Sequence, residues 1–143
     1  QLMHNATENG MKDRVKTVCV DVFKEREFLN AMGSQRFDAV VVDPPSLTSS
    51  AKQLNQGKRA HTKCFSDGLR LLSNEGLAAF ASCSYHLTWD DFIRCIAEAT
   101  HEVSQARDFR LTHFGAQSAD HGIPVSMPDT RYIKCAFGQW IWP

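Results

Sequence analysis

Hydrophobic and polar residues follow two spacings along this chain, and each spacing predicts a different kind of element. Alternating or continuous apolar runs predict strands at 15–20, 37–42, 77–82, 109–112 and 132–140. Apolar residues at helical spacing predict helices at 23–32, 53–72 and 88–106. A shorter helix is predicted from Leu2, Met3 and Ala6 to Asn9-Gly10, and the glycine- and proline-rich residues 113–130 predict a loop.

Strands that alternate with helices indicate a mainly parallel sheet with helices on both faces. The nearly unbroken apolar run at 37–42 is typical of a strand that is buried on both faces. Such sheets bind ligands beyond the carboxyl ends of their strands. This rule selects three segments: Asp21-Val22, Asp43-Pro44-Pro45 and Ser82-Cys83-Ser84.

Composition and charge narrow the class of protein. The 143 residues are 43% hydrophobic and 22% charged, which is typical of one globular domain spanning 1–143. Sixteen Lys and Arg balance sixteen Asp and Glu, so no global field attracts nucleic acid or an anionic membrane. No apolar run approaches the roughly 18 residues that span a bilayer. The five cysteines form no C-x-x-C pair, so we expect reduced thiols and a cytoplasmic protein.

Asp43 is the first candidate for chemistry. A carboxylate at the mouth of a buried strand has restricted access to solvent, which perturbs its proton affinity. Pro44 and Pro45 stiffen the following loop and remove two N–H donors, so Asp43 and the Pro44 carbonyl could hold an amine or amide. The alternative is that Asp-Pro-Pro only ends the strand.

Cys83 is the second candidate, since a thiolate at a strand end can act as a nucleophile. The alternative is an inert buried cysteine, but Asp43 on the neighbouring predicted strand favours the nucleophile. Cys83 and His86 have the spacing of a pair of metal ligands, yet no second pair completes a site, so we expect no metal.

Two further features have both a binding and a structural interpretation. Asp21, followed by Val22, could accept a hydrogen bond from an adenine amine, or it could cap the next helix. Residues 44–66 contain no acidic residue but several basic ones: Lys52, Lys58, Arg59 and Lys63, with His61 adding charge at low pH. They could pair with phosphates, or they could form a solvated helix face.

Several motifs occur here in the order found in one group of enzymes. They are Val40-Val41-Val42-Asp43-Pro44-Pro45, Lys52-Gln53-Leu54, Arg59, Ser82-Cys83-Ser84, Ala119-Asp120-His121 and Tyr132-Ile133-Lys134-Cys135. The chain resembles the catalytic C-terminal part of the RlmI-like class I methyltransferases. These enzymes use S-adenosylmethionine (SAM) to methylate C5 of a cytosine in large-subunit ribosomal RNA.

The resemblance implies a partial Rossmann-like sheet that is mainly parallel with an antiparallel last strand. It implies that Cys83 adds to C6 of the cytosine and that Asp43 hydrogen-bonds the base. It also implies a role in SAM binding for Asp21, Val22, Asp43 and Pro44, and a role in RNA binding for Pro45, Lys52, Gln53 and Arg59.

The glycine-rich SAM loop and the first strands of the family's sheet have no counterpart in this sequence. We therefore expect a fragment of a longer enzyme or a truncated gene product, with weak SAM binding and exposed strand edges that favour a homo-oligomer. Two alternatives stay open. One is an amino-methyltransferase, although Ser46 cannot stack on a base as the usual aromatic residue does; the other is a non-catalytic RNA-binding remnant.

Overall fold

The computed structural model describes residues 1–104 and 107–141, without the side chains of residues 25 and 26. The chain forms two compact units, Gln1–Gly33 and Ser34–Pro143, and each is described by itself.

The first unit contains two short helices, α1 (Leu2–Glu8) and α2 (Glu25–Met32), with a 3-10 turn at Lys12–Arg14. Both helices were predicted, and α2 ends as expected at Gly33, whose φ of 61° favours glycine. The strand predicted at 15–20 is wrong, because these residues belong to no sheet. Alternation makes a segment compatible with a strand, but a strand also needs a hydrogen-bonded neighbour.

The second unit is built on a four-stranded sheet. Its elements are β1 (Phe37–Val42), α3 (Leu54–Leu71), β2 (Leu72–Ser82), α4 (Trp89–Val103), β3 (Asp108–Gly115) and β4 (Lys134–Ile141). The strand order is β1-β2-β4-β3, with β1 parallel to β2 and β4 antiparallel to both of its neighbours. The prediction of a mainly parallel sheet with an antiparallel last strand is confirmed.

Several boundaries differ from the prediction because strand pairing decides them. β2 starts directly after α3. Residues 73–76, between the predicted helix and the predicted strand, lie in an irregularity where Phe37 pairs with Leu72 but Ala39 pairs with Leu77. β3 extends beyond 112 because residues 113–115 pair with β4, and β4 starts at 134 rather than 132. The predicted end of α4 at 106 lies outside the described residues.

The core lies between one face of the sheet and the helices α3 and α4. Phe65 of α3, Phe80 of β2 and Phe92 of α4 are fully buried, and the ring of Phe65 lies 4.9 Å from that of Phe80 and 5.7 Å from that of Phe92. Burial of each such ring contributes about 1.5–3 kcal/mol to folding. These contacts place both helices of this unit on the same face.

β1 is therefore buried on one face only, and the prediction of burial on both faces is wrong. Val40 and Val42 pack against the core, whereas Val41 on the opposite face is 73% exposed. A continuous apolar run shows that a strand can be buried, but it does not show which faces are covered.

Candidate active site

Asp43 and Cys83 directly follow the carboxyl ends of two neighbouring parallel strands. Val42, the last residue of β1, pairs with Phe80 of β2. This register puts Asp43 beside Ala81 and Cys83 two residues further along the adjacent chain, and adjacent strands lie about 4.8 Å apart. The sheet thus brings both predicted residues to one edge.

A serine pair connects the two loops that carry these residues. The Ser46 Oγ, directly after Asp-Pro-Pro, lies 3.4 Å from the Ser84 Oγ, directly after Cys83. Ser84 is fully buried while Ser46 is exposed, so this contact ties the surface loop after β1 to the buried loop after β2.

Asp43 is exposed, so the expectation that its carboxylate has restricted access to solvent is wrong. The residue follows an edge strand, and no element described in this unit covers that edge. Burial is the main cause that raises the pKa of the Cys135 thiol in β4. The negative charge of Asp43 raises the pKa of Cys135 further. Nothing in the sequence pointed to an interaction between Asp43 and Cys135, because the sequence does not show which strands lie close together in the sheet.

Cys83 is a free thiol of intermediate burial. It differs from Cys64 and Cys95, which lie in the core and whose thiol pKa values are raised chiefly by burial. The exposure of Cys83 therefore fits a residue that meets a substrate better than it fits a packing residue.

A buried histidine of α3 contacts the end of β2, directly before Cys83. His61 of α3 is fully buried; its Nδ1 donates to the Gly57 carbonyl at 2.8 Å, which leaves Nε2 to accept from the Ser82 Oγ at 3.0 Å. The same Ser82 oxygen accepts a hydrogen bond from the Ser84 N–H at 3.2 Å. Burial is the main cause that lowers the pKa of His61, and the Lys134 charge lowers it further.

The ring of His61 is therefore buried and does not belong to the exposed basic stretch, and its lowered pKa opposes the charge expected there. The sequence does not indicate the contact between His61 and Ser82, because only the packing of α3 against β2 brings the two side chains together.

Lys134 supports the same loop from β4. It is only 4% exposed, and its Nζ donates to the Tyr132 carbonyl at 2.7 Å and to the Ser84 carbonyl at 3.2 Å. Burial lowers the pKa of Lys134, and the negative charge of Cys83 raises it. The Tyr-Ile-Lys motif was part of the family resemblance, but nothing in the sequence connected Lys134 with Cys83.

The residues predicted to contact RNA are all exposed. Pro45 lies in the loop after β1, Lys52 and Gln53 lie in the 3-10 turn before α3, and Arg59 lies on α3. Gln53 Oε1 accepts a hydrogen bond from the Ser49 hydroxyl.

The basic stretch divides into paired and unpaired cations. Lys58 forms an ion pair with Asp91, and Lys63 forms one with Asp67. Within residues 1–104 and 107–141, Lys52 and Arg59 take part in no ion pair, so these two cations are the ones available to an anionic partner.

Asp21 and Val22 lie in the first unit. The Asp21 Oδ1 accepts a hydrogen bond from the Phe23 N–H at 3.0 Å, and Val22 is 42% exposed. Asp21 follows no strand, contrary to the prediction. It is not the cap of α2 either, because Lys24 precedes that helix directly.

Two classes of feature are absent from the part of the chain that the structure describes. No three His, Cys, Asp or Glu residues there form a group that could hold a metal ion. None of the helices described combines the length and the apolar character needed to cross a membrane.

The chain has clear relatives, although no family model matches it. It is 30% identical to Ribosomal RNA large subunit methyltransferase I of Shewanella amazonensis over 132 residues, 92% of this chain. The same enzyme of Klebsiella pneumoniae is 30% identical over 91% of the chain, and that of Escherichia coli is 31% identical over 80%. The chain is homologous to part of these methyltransferases. It spans about one third of their length: 33% of the Shewanella relative and 32% of the Klebsiella relative.

Solved structures agree with the fold. A protein from Streptococcus mutans described as a SAM-dependent methyltransferase superposes on 85% of this chain with a TM-score of 0.63, at 20% identity. A second structure, described as a methyltransferase in complex with SAH, superposes on 93% of the chain with a TM-score of 0.65, at 17% identity. The chain covers 30% and 35% of those proteins, so the match is to part of a class I methyltransferase fold.

Proposed function

We propose that this chain is the base-binding part of a SAM-dependent methyltransferase that methylates C5 of a cytosine in large-subunit ribosomal RNA through a covalent adduct on Cys83. The relatives that it matches are named as methyltransferases of large-subunit ribosomal RNA. The observation that carries the proposal is the convergence of an exposed carboxylate and a half-buried thiol at the ends of two paired parallel strands.

C5 of cytosine is a weak nucleophile, and the proposed chemistry activates it. The Cys83 thiolate forms a bond to C6, and the electron pair of the C5–C6 double bond becomes available at C5. C5 then takes the methyl group. SAM, when bound, would supply it as an electrophilic sulfonium methyl, whose bond to sulfur breaks as S-adenosylhomocysteine leaves. Loss of the C5 proton to a base restores the double bond and breaks the S–C6 bond, which releases the Cys83 thiolate.

Asp43 holds the base in this proposal. Its exposed carboxylate can accept a hydrogen bond from the exocyclic amine of cytosine and share a proton with N3, which assists addition at C6. Pro44 and Pro45 lack N–H groups, so the loop presents acceptors to an amine without competing donors. The base has to leave its stack to reach these groups.

Each unit is assigned SAM contacts separately, on the strength of the resemblance: Asp43 and Pro44 in the second unit, and Asp21 and Val22 in the first. An adenine amine can hydrogen-bond the Asp21 carboxylate, and the exposed Val22 side chain can cover the ring. The eight glycines form no glycine-rich loop, so we expect the 143-residue chain alone to bind SAM weakly; micromolar affinity by titration calorimetry would contradict this.

Phosphate contacts are assigned to the exposed side of the segment after Asp-Pro-Pro. Lys52 and Arg59 are the cations of the basic stretch that form no ion pair within the described residues, and Pro45 and Gln53 lie near them in sequence. Such contacts position an RNA without reading its sequence. A ribosomal RNA substrate also implies a cytoplasmic enzyme.

The amino-methyltransferase alternative is disfavoured by the position of Ser46. Those enzymes stack the base on an aromatic residue directly after Asp-Pro-Pro, whereas the Ser46 hydroxyl here contacts Ser84. They also need no thiol at Cys83.

Methyl transfer by the whole gene product tests the proposal, because this chain spans about one third of its relatives. With labelled SAM and undermethylated large-subunit RNA, nucleoside mass spectrometry is expected to show 5-methylcytidine. Cys83→Ala is expected to abolish it, while the matched control Cys135→Ser, which removes a thiol of similar burial, keeps it. Methylated adenosine or guanosine that survives Cys83→Ala would support the amino-methyltransferase, and RNA binding without SAM dependence or methyl transfer would support the non-catalytic remnant.

A further inference from the structure

A buried cation lies beneath the loop that carries Cys83. The Lys134 Nζ is held by two carbonyl oxygens, those of Ser84 and Tyr132, at 3.2 and 2.7 Å. Lysine is seldom 4% exposed, because desolvation of its ammonium group is costly unless the charge is compensated.

No carboxylate compensates this charge in the described part of the chain, where Lys134 forms no ion pair within 4.0 Å. Burial lowers the pKa of Lys134, and the only cause that raises it is the charge of Cys83. The other titratable groups near Lys134 are His61 of α3 and Cys135, the next residue on β4. The charge of Lys134 lowers the pKa of His61, and the charge of Asp43 raises the pKa of Cys135. Burial lowers the pKa of His61, which favours the neutral ring.

The surroundings of Lys134 also fix the backbone on either side of Cys83. The Ser84 N–H donates to the Ser82 Oγ, and the Ser84 carbonyl accepts a hydrogen bond from the Lys134 ammonium. The Ser84 hydroxyl lies 3.4 Å from the Ser46 hydroxyl. Ser82 also pairs with Lys134 across β2 and β4. Both neighbours of Cys83 are therefore held by buried polar contacts, two of which involve Lys134.

We propose that Lys134 is a positioning residue for the nucleophile: its buried ammonium group fixes the Ser84 carbonyl and keeps a positive charge against the loop that carries the Cys83 sulfur. The inference rests on the proposed role of Cys83 as nucleophile. It assigns to β4 a part in the chemistry, although β4 supplies no residue that touches the base.

Alkylation of Cys83 by iodoacetamide measures this effect without RNA or SAM. Peptide mass spectrometry gives the rate at Cys83 relative to that at Cys19, an exposed thiol in the other unit. In Lys134→Met we expect the Cys83 rate at pH 7 to fall about tenfold, because a positive charge and a hydrogen-bond donor are lost from the loop that carries Cys83. Lys134→Arg keeps the charge and is expected to stay within about threefold of the unchanged protein.

The matched control is Lys58→Met, which removes another partly buried lysine charge, the partner of Asp91. Its Cys83 rate is expected to be unchanged. A folded Lys134→Met protein with an unchanged rate would overturn the proposal, as would a folded Lys134→Arg protein that is as slow as Lys134→Met. Circular dichroism shows whether either Lys134 variant is unfolded. If one is, the Cys83 alkylation rate of the other variant decides the test.

The result separates this inference from the proposed function. If alkylation depends on Lys134 but Cys83→Ala still methylates RNA, the positioning holds and the role of Cys83 as nucleophile fails. If both hold, Lys134→Met in the whole gene product is expected to lower kcat with little change in the KM for RNA.

Discussion

At the scale of residues, the candidate site depends on two polar side chains that are almost completely buried. His61 joins α3 to β2 through Ser82, and Lys134 joins β4 to the same loop through Ser84. Asp43 and Cys83 were predictable because strand ends can be located in the sequence. His61 and Lys134 were not, since their roles depend on which elements pack beneath that loop.

His61 makes stability depend on pH in a defined direction. Its pKa in the folded protein is lowered below the ordinary value of 6.5, so the unfolded chain binds a proton more readily. This contribution is fully present above pH 6.5 and is lost as the pH falls through that value towards the lower folded pKa. The loss has a maximum slope of about 1.4 kcal/mol per pH unit.

Urea unfolding at pH 7.5 and 5.5 measures this contribution, followed by fluorescence because all three tryptophans belong to the Ser34–Pro143 unit. We expect the free energy of unfolding to fall between the two pH values, and to fall less in His61→Gln. That variant should be less stable at pH 7.5 by about 1–3 kcal/mol because buried partners lose their hydrogen bonds. Equal pH dependence in both proteins would contradict the account of His61.

At the scale of elements, the position of Asp43 depends on how closely α3 approaches β1. A Cβ atom on Gly68 of α3 would lie 2.4 Å from the Val42 Cγ2, in the residue that precedes Asp43. Helix and strand periodicity predicted both elements, but not this approach. Periodicity also predicted a strand at 15–20 that has no partner, because pairing is a property of the sheet and not of the segment.

Gly68→Ala is therefore expected to destabilise the protein although alanine favours helices. The gain in helix propensity is about 1 kcal/mol, whereas overpacking against stiff Val42 costs about 1–3 kcal/mol. Gly122→Ala is the control, since its Cβ would meet nothing closer than the Ala119 carbonyl oxygen at 3.9 Å. Urea unfolding should show a loss for Gly68→Ala and a change within about 0.5 kcal/mol for Gly122→Ala. A Gly68→Ala protein more stable than the unchanged one would show that α3 and β1 pack less closely.

At the scale of the molecule, the sheet of the second unit has an open edge. β1 pairs with β2 on one side only, and Val41 is 73% exposed. The alternation of strands and helices predicted an α/β protein, the resemblance supplied the antiparallel last strand, and the strand order is known only from the structure. Periodicity alone cannot supply them, because it contains no information about which strands are neighbours.

An unpaired apolar edge strand favours association between copies of the chain. Sedimentation velocity over a range of concentrations is expected to show self-association of the 143-residue chain, reduced in Val41→Lys because a charge on an edge strand opposes pairing. Val125→Lys is the control, since Val125 is 98% exposed but lies outside the strands. A chain that is monomeric throughout, or that associates equally well as Val41→Lys, would contradict this expectation.

The central claim is that the sulfur of Cys83 bonds to the target cytosine, and trapping that bond tests it most directly. Large-subunit RNA containing 5-fluorocytosine is incubated with SAM and the whole gene product, and the linked peptide is identified by mass spectrometry. Fluorine at C5 cannot leave as a proton, so the release step stalls after methyl transfer. We expect an adduct that is stable in denaturant on Cys83 and none in Cys83→Ala; an adduct on another residue, or methylation of normal RNA with no adduct on the fluorinated one, would contradict the claim.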